Sequence, residues 1–199
     1  MSIKVSIDAS GGDFGFPVTI NAGINALKAY DDLLVNFVGD QTGIEKELKN
    51  NALSSKFLSR IEITHASEVI NMDDSPSVAL RHKKDSSMRV AINLVKNGDA
   101  DACVSAGNTG ALMSIARFVL KTISGVDRPA IMSAVPTLTG PTHVLDLGAN
   151  IDSKPNTLLQ FAIMGSIAVQ NTENIDTPSI GLLNVGTEEL KGNEKSQET

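Results

Sequence analysis

The 199-residue chain reads as an α/β protein. Three observations predict this. Short β-branched runs alternate with longer stretches of helical period, the pattern of a largely parallel sheet covered on both faces. Polar, glycine-bearing segments follow four of the strands, where open α/β sheets bind ligands. Hydrophobic residues make up 41% and charged residues 20%, enough apolar content to build a core and exclude extensive disorder.

Ile3 to Ile7 forms the first expected strand. Pro17 then opens a helix with Ile20, Ile24 and Leu27 on one face. Leu33 to Val38 is the second strand, closed by Gly39-Asp40 and followed by a helix through Leu48. Ile61 to Thr64 is the third. The segment from Ala66 to Ser86 is too long for a simple connection and reads as a functional insertion. A helix follows from Ser87 to Val95, with Met88, Ile92 and Val95 on one face. Ala102 to Ser105 is the fourth strand. The helix from Thr109 to Leu120 is apolar nearly all round, which predicts burial. Pro129 to Val135 and His143 to Leu147, joined through a Gly-Pro connection, suit an antiparallel pair. Pro155 to Val169 is a long apolar helix, Ser179 to Val185 a last strand, and Glu188 begins another helix. With no linker visible, residues 1–199 read as a single domain.

Composition narrows the function. Lys and Arg number 17 against 23 Asp and Glu, a net charge of −6, which argues against general nucleic-acid backbone binding. Aromatic residues are only 4%, with no Trp, too few for a base-stacking platform. The single cysteine, Cys103, cannot form an intrachain disulfide and fits a reducing compartment. Its mid-strand position suits a small buried hydrophobe better than a nucleophile. The three histidines are scattered, so no metal site is expected. Neither a dinucleotide fingerprint, a P-loop nor a Gly-x-Ser-x-Gly elbow occurs. The N-terminus carries no signal-peptide pattern, and no apolar run is long enough to span a bilayer.

The chemistry-bearing residues gather at strand ends. The first strand runs into Asp8-Ala9-Ser10-Gly11-Gly12-Asp13, the fourth into Ser105-Ala106-Gly107-Asn108-Thr109-Gly110, and the sixth into Asp146-Leu147-Gly148-Ala149-Asn150. The last runs into Asn184-Val185-Gly186-Thr187-Glu188, with Lys191-Gly192-Asn193-Glu194 beyond. Glycines admit a ligand close to the backbone, and free N–H groups at a helix start hold anions. Each loop alone could equally be a turn or a helix cap, with Asn108 or Thr109 capping. Four of them at one edge point to a ligand. Arg81, Lys83, Lys84 and Arg89 form the one basic cluster in an acidic chain. It reads either as a solvated helix start or as a docking patch for an acidic partner or a phosphate. The apolar helices from Thr109 and Pro155 read as core sooner than as an acyl channel.

Together these segments resemble the bacterial phosphate acyltransferase family, PlsX. The resemblance rests on residues 8–13, on His65 to Ile70 with Met72 to Pro76, and on Arg81 to Arg89. It continues through Ser105 to Ala111, Asp127 to Ala130, Leu145 to Asn150, and Lys191 to Glu194. Ser10 stands where the family often has Met. The resemblance implies a three-layer α/β/α sandwich related to phosphotransacetylases and the isopropylmalate dehydrogenase-like fold. It implies transfer of a fatty acyl group from acyl carrier protein to inorganic phosphate, giving acyl phosphate for phospholipid synthesis. It also implies a cytoplasmic homodimer with peripheral membrane association and no metal or organic cofactor. Family members continue well past the Lys191 to Glu194 motif, so the chain is expected to be truncated at its C-terminus. Two other readings are a phosphotransacetylase-like enzyme using acyl-CoA and an inactive phosphate-binding fragment.

Within that reading, Ser105, Gly107, Asn108 and Thr109, with Gly11 and Gly12, are the expected phosphate-binding residues. Lys191 would neutralise phosphate and transition-state charge, and Asn193 would donate to the oxyanion. Asp8 and Asp146 would orient these donors, since a carboxylate beside phosphate is repulsive. Arg81, Lys83, Lys84 and Arg89 would meet the acidic carrier protein.

Overall fold

A computed structural model of the chain describes residues 2–150 and 152–184, which form two compact units divided after Lys121. The first unit carries a four-stranded parallel sheet in the order β3-β2-β1-β4, from strands Ile3–Asp8 (β1), Leu33–Gly39 (β2), Ile61–His65 (β3) and Ala102–Val104 (β4). Alternation along β2 explains the layers. Val35 and Phe37 pack with helices Phe16–Ala29 (α1) and Gln41–Asn50 (α2), contacting Ile20, Ile24, Leu27, Ile44 and Leu48. Val38 turns to the opposite face, where Ala91 of helix Ser87–Asn97 (α4) packs against it with Ala66. Helices thus cover both faces of a parallel sheet, the three-layer arrangement expected. Ser6, on the same face as α4, satisfies its buried hydroxyl by donating to the Ala91 carbonyl at 3.0 Å.

Local chemistry sets the helix starts. The Asp40 carboxylate accepts the Gly43 N–H at 2.8 Å, capping α2. Pro17 occupies the first turn of α1, and Gly98, at φ 81°, ends α4 in the left-handed conformation. Two expectations need correction. The segment from Ala66 to Ser86 is not a bare loop, since Pro76–His82 forms a short helix (α3) capped by Ser75. At seven residues it is too short to show an apolar period. Helix Thr109–Leu120 (α5) is not buried all round. Ala111, Ile115 and Val119 are buried against Met88 and Ile92, while Phe118 and Leu120 are exposed.

The second unit holds an antiparallel hairpin, Met132–Thr137 (β5) and Gly140–Leu145 (β6), in a two-stranded sheet of its own. Its turn is Leu138-Thr139, and Gly140-Pro141 belong to β6 rather than to the connection. Helix Pro155–Glu173 (α6) follows, four residues longer than its apolar run suggests. The expected last strand is not found over its described part. Residues 179–184 pair with no strand, and Ile180, Leu182 and Leu183 are exposed, so the apolar pattern there has no sheet edge to complete it. Among the described residues no helix is long and apolar enough to cross a membrane.

Candidate functional site

Parallel pairing of β1 with β4, Val5 opposite Ala102 and Ile7 opposite Val104, brings the loops after these strands side by side at their carboxyl ends. Asp8 closes β1 and is 2% exposed. The Ser105 hydroxyl donates to its Oδ2 at 2.7 Å, and the Gly107 N–H donates to Ser105 Oγ at 3.1 Å. Asp8 Oδ1 is buried with no hydrogen-bond partner among the described residues. The two loops meet so closely that side chains do not fit between them. A Cβ on Gly11 would fall 2.5 Å from Asp8 Oδ2 and 3.1 Å from the Gly107 nitrogen, and one on Gly12 would fall 3.2 Å from the Ala106 carbonyl. Gly12 also adopts φ +86°, which L side chains rarely do.

Beside this junction lies a cavity of about 200 Å³, lined by Gly11, Gly12, Phe14, Gly15 and Ala106 on the loop side and by Val18 and Thr19 of the α1 start. Gly15 caps α1 without a side chain, and the Thr19 hydroxyl reaches back to the Ala9 carbonyl at 2.7 Å, tying helix to loop. Sequence reasoning missed Phe14, Val18 and Thr19. The glycine cluster drew attention to the turn, but nothing in an amphipathic helix start marks which residues wall a cavity.

Asn108 and Thr109 begin α5 next to Ser105 and Gly107. Asn108 Oδ1 accepts the Ala111 N–H at 3.0 Å, while its Nδ2 donates to the carbonyls of Met72 and Asp74, each at 2.9 Å. This one side chain therefore caps α5 and straps the 71–74 turn to it, which engages both of its ends within the protein. Thr109 is exposed in the first turn, where backbone N–H groups precede the first intrahelical bonds.

Of the basic cluster, Lys83 is turned inward. Its ammonium donates to the Val69 carbonyl at 2.7 Å and to the Asp74 carboxylate, and the hydrogen bond to Asp74, with one from the Asn71 N–H, holds that carboxyl below its ordinary value. Arg81 and Lys84 are exposed. Arg89 lies over the Phe118 ring at 5.2 Å, with Lys121 over the same ring at 4.8 Å. Phe118 and Lys121 were not anticipated: Lys121 follows the last helical residue of α5 at φ 67°, so helical spacing does not pair it with Phe118.

In the second unit, Asp146 gathers its own loop. Oδ1 accepts from Ile131 N at 2.8 Å and Ala149 N at 3.3 Å, and Oδ2 from Asn150 N at 2.7 Å and Asn150 Nδ2 at 3.1 Å. Burial works to raise this carboxyl, but the four donors outweigh it and hold it below its ordinary value. Lys191 and Asn193 lie outside the described residues. Burial pushes the Cys103 thiol up to about 11, which leaves it protonated at neutral pH. Among the described residues no three metal-ligating side chains converge.

A family model described as "Fatty acid synthesis protein" matches residues 3–199. A "Phosphate acyltransferase" of Ruthia magnifica subsp. Calyptogena magnifica is 64% identical over the whole chain, which covers 58% of that relative. Proteins of the same name from Methylococcus capsulatus and Legionella pneumophila (strain Paris) are each 56% identical, over 96% and 100% of this chain and 56% and 57% of theirs. The chain thus spans a little under three fifths of the length of these relatives. The match over residues 3–199 makes the chain a member of the fatty acid synthesis protein family.

Proposed function

We propose that the chain carries the phosphate site of an acyltransferase that moves a fatty acyl group from acyl carrier protein to inorganic phosphate. The observation that carries this reading is the junction of Asp8, Gly11, Gly12, Ser105 and Gly107 at the carboxyl ends of β1 and β4, beside an open cavity. The naming of the relatives supports it.

The chemistry requires little more than positioning. A phosphate oxygen attacks the thioester carbonyl, a tetrahedral oxyanion forms, and the carbon–sulfur bond breaks to release the carrier's thiol and acyl phosphate. Phosphate brings its own nucleophilic oxygen, so no enzyme nucleophile is needed, in keeping with the protonated Cys103. Holding the two reactants in line contributes on the order of 7–11 kcal/mol in favourable cases. Thr109 and the Gly11-Gly12 backbone hold phosphate, Ser105 and Gly107, whose hydroxyl and N–H are engaged with Asp8 and Ser105, fix the shape of the loop beneath it, and Asn108 shapes the start of α5. Lys191 neutralises charge, Asn193 donates to the oxyanion, and Asp8 and Asp146 orient their loops. Arg81, Lys84 and Arg89 steer the acidic carrier, with Lys83 stiffening the turn behind them. Cytoplasmic location, homodimer formation and peripheral membrane contact belong to the same reading and rest on family membership.

The test is acyl phosphate formation, read by hydroxylamine trapping, with acyl carrier protein and coenzyme A thioesters compared as donors. The reading predicts phosphate-dependent turnover that prefers the carrier protein, and a fall of at least about tenfold for Lys191→Ala. Equal turnover in that variant would remove Lys191 from the mechanism. Preference for short acyl-CoA would replace the carrier donor.

A further inference from the structure

Beside the β1 loop, the cavity is walled mostly by carbon. Phe14 is 76% exposed and Val18 52%, so two large apolar side chains stand in water at a ligand-binding edge. Ala106 adds a methyl group, and Gly11, Gly12 and Gly15 present bare backbone. Thr19 lines the cavity too, but the proton of its hydroxyl is committed to the Ala9 carbonyl at 2.7 Å. Asp13 is the remaining polar side chain in the lining, and its exposed carboxylate accepts hydrogen bonds without donating any. The lining therefore holds apolar surface and no free side-chain donor.

Resting on the phosphate site proposed above, we infer that this cavity receives the acyl chain at its carbonyl end, and that Phe14 and Val18 pack on the first methylenes. Attack on the thioester needs the phosphate oxygen and the carbonyl carbon about 3–3.5 Å apart. Phosphate on the Gly11-Gly12 backbone puts that carbon in the cavity which the same two residues line. The carbonyl carries two arms, an alkyl chain and the carrier's thiol arm, whose amide carbonyls need donors. A lining without a free side-chain donor would leave those carbonyls unpaired. Methylenes need no partner, and covering Phe14 and Val18 with them removes apolar surface from water on both sides of the contact. Phe14 and Val18 are thus binding residues for the alkyl chain, and the thiol arm lies outside the cavity.

The experiment is calorimetric binding to the whole chain at pH 7 of inorganic phosphate and of 2-oxoalkylphosphonates, stable mimics of acyl phosphate in which CH₂ replaces the bridging oxygen. A fully buried methylene gives close to about fourfold in affinity, and an open cavity buries part of each. A ten-carbon analogue should therefore bind at least about 30-fold more tightly than a three-carbon one. Phe14→Ser with Val18→Ser should cut that ratio to within about threefold, whereas Tyr30→Ser, an exposed apolar change at the far end of α1, should keep it. Equal affinity for the two chain lengths, with inorganic phosphate still bound, would overturn the inference and leave the phosphate site standing. No binding of phosphate or of either analogue would overturn both. Displacement of the ten-carbon analogue by pantetheine alone would give the cavity to the thiol arm and overturn the inference. So would a folded double variant that keeps the full ratio. If the double variant fails to fold, nuclear Overhauser contacts from the analogue's methylenes to the Phe14 ring and Val18 methyls in the unaltered protein decide, their presence supporting the inference and their absence overturning it.

Discussion

The two units of the chain treat apolar residues differently. In the first, strand alternation and helix periodicity end in burial. Phe37, Ile20, Ile24, Leu27, Ile44, Met88, Ile92 and Ile115 are all essentially inaccessible to solvent. In the second, apolar stretches stay open. Phe161 is buried, yet Leu159, Ile163 and Ile167 form an exposed row at i, i+4 and i+8 along α6, and Val135 and Leu138 are exposed on the hairpin. An apolar period therefore reports which face an element could bury. Whether the face is covered depends on neighbours brought in by tertiary topology, which a local pattern does not contain. The polar site follows the same division. The Asp8 and Ser105 junction is built on a packed sheet, whereas Asp146 organises its loop by hydrogen bonds to backbone.

Substitutions can break or sharpen this contrast. The largest effect is expected at Phe37, where Phe37→Ala should cost about 3–5 kcal/mol in denaturant unfolding, through lost burial and the cavity left behind. A loss under about 1 kcal/mol would mean that the first unit is far less tightly packed than its buried side chains indicate. Next is Gly11→Ala, whose Cβ would press on the Asp8 carboxylate. It should cost about 1–3 kcal/mol and weaken phosphate binding. Retained binding and stability would show that the two loops can separate freely.

Asp146→Asn tests the second unit through pH. The Asp146 carboxyl titrates below its ordinary value of 3.8 when folded, so its stabilisation is present above that pH and lost as pH falls through the folded value. The variant should be less stable than the unaltered protein at pH 7, with the difference closing toward pH 2 in thermal melts. A gap that persists at pH 2 would assign the effect to geometry rather than charge. The smallest change is expected for Leu159→Ala, at half exposure, which should shift stability by no more than about 0.5 kcal/mol. A loss approaching that at Phe37 would mean that this face is covered in solution.

The sheet was the most readable part of the chain. The first four strands and the helices between them were anticipated to within a few residues, because capping residues and apolar periods mark them locally. Helix α3 was not, since seven residues hold barely two turns. The strand expected over Ser179 to Val185 is absent over its described part, residues 179–184, because a short apolar run supplies propensity but no pairing partner. At the site, the glycine loops were visible as motifs and the structure brings Asp8, Gly11, Gly12, Ser105 and Gly107 together. The inward turn of Lys83, the strapping of residues 71–74 by Asn108, and the sharing of Phe118 between Arg89 and Lys121 were hidden. Each joins residues that local spacing leaves unrelated.

The central claim is that inorganic phosphate binds at the carboxyl ends of β1 and β4. An ¹⁵N-resolved amide titration of the chain with phosphate tests it most directly. Saturable shifts should concentrate at Gly11, Gly12 and Gly15 and from Ser105 to Gly110, with the hairpin amides from Met132 to Leu145 unmoved. No saturable shift at those glycines, or shifts of equal size across the hairpin, would contradict the account.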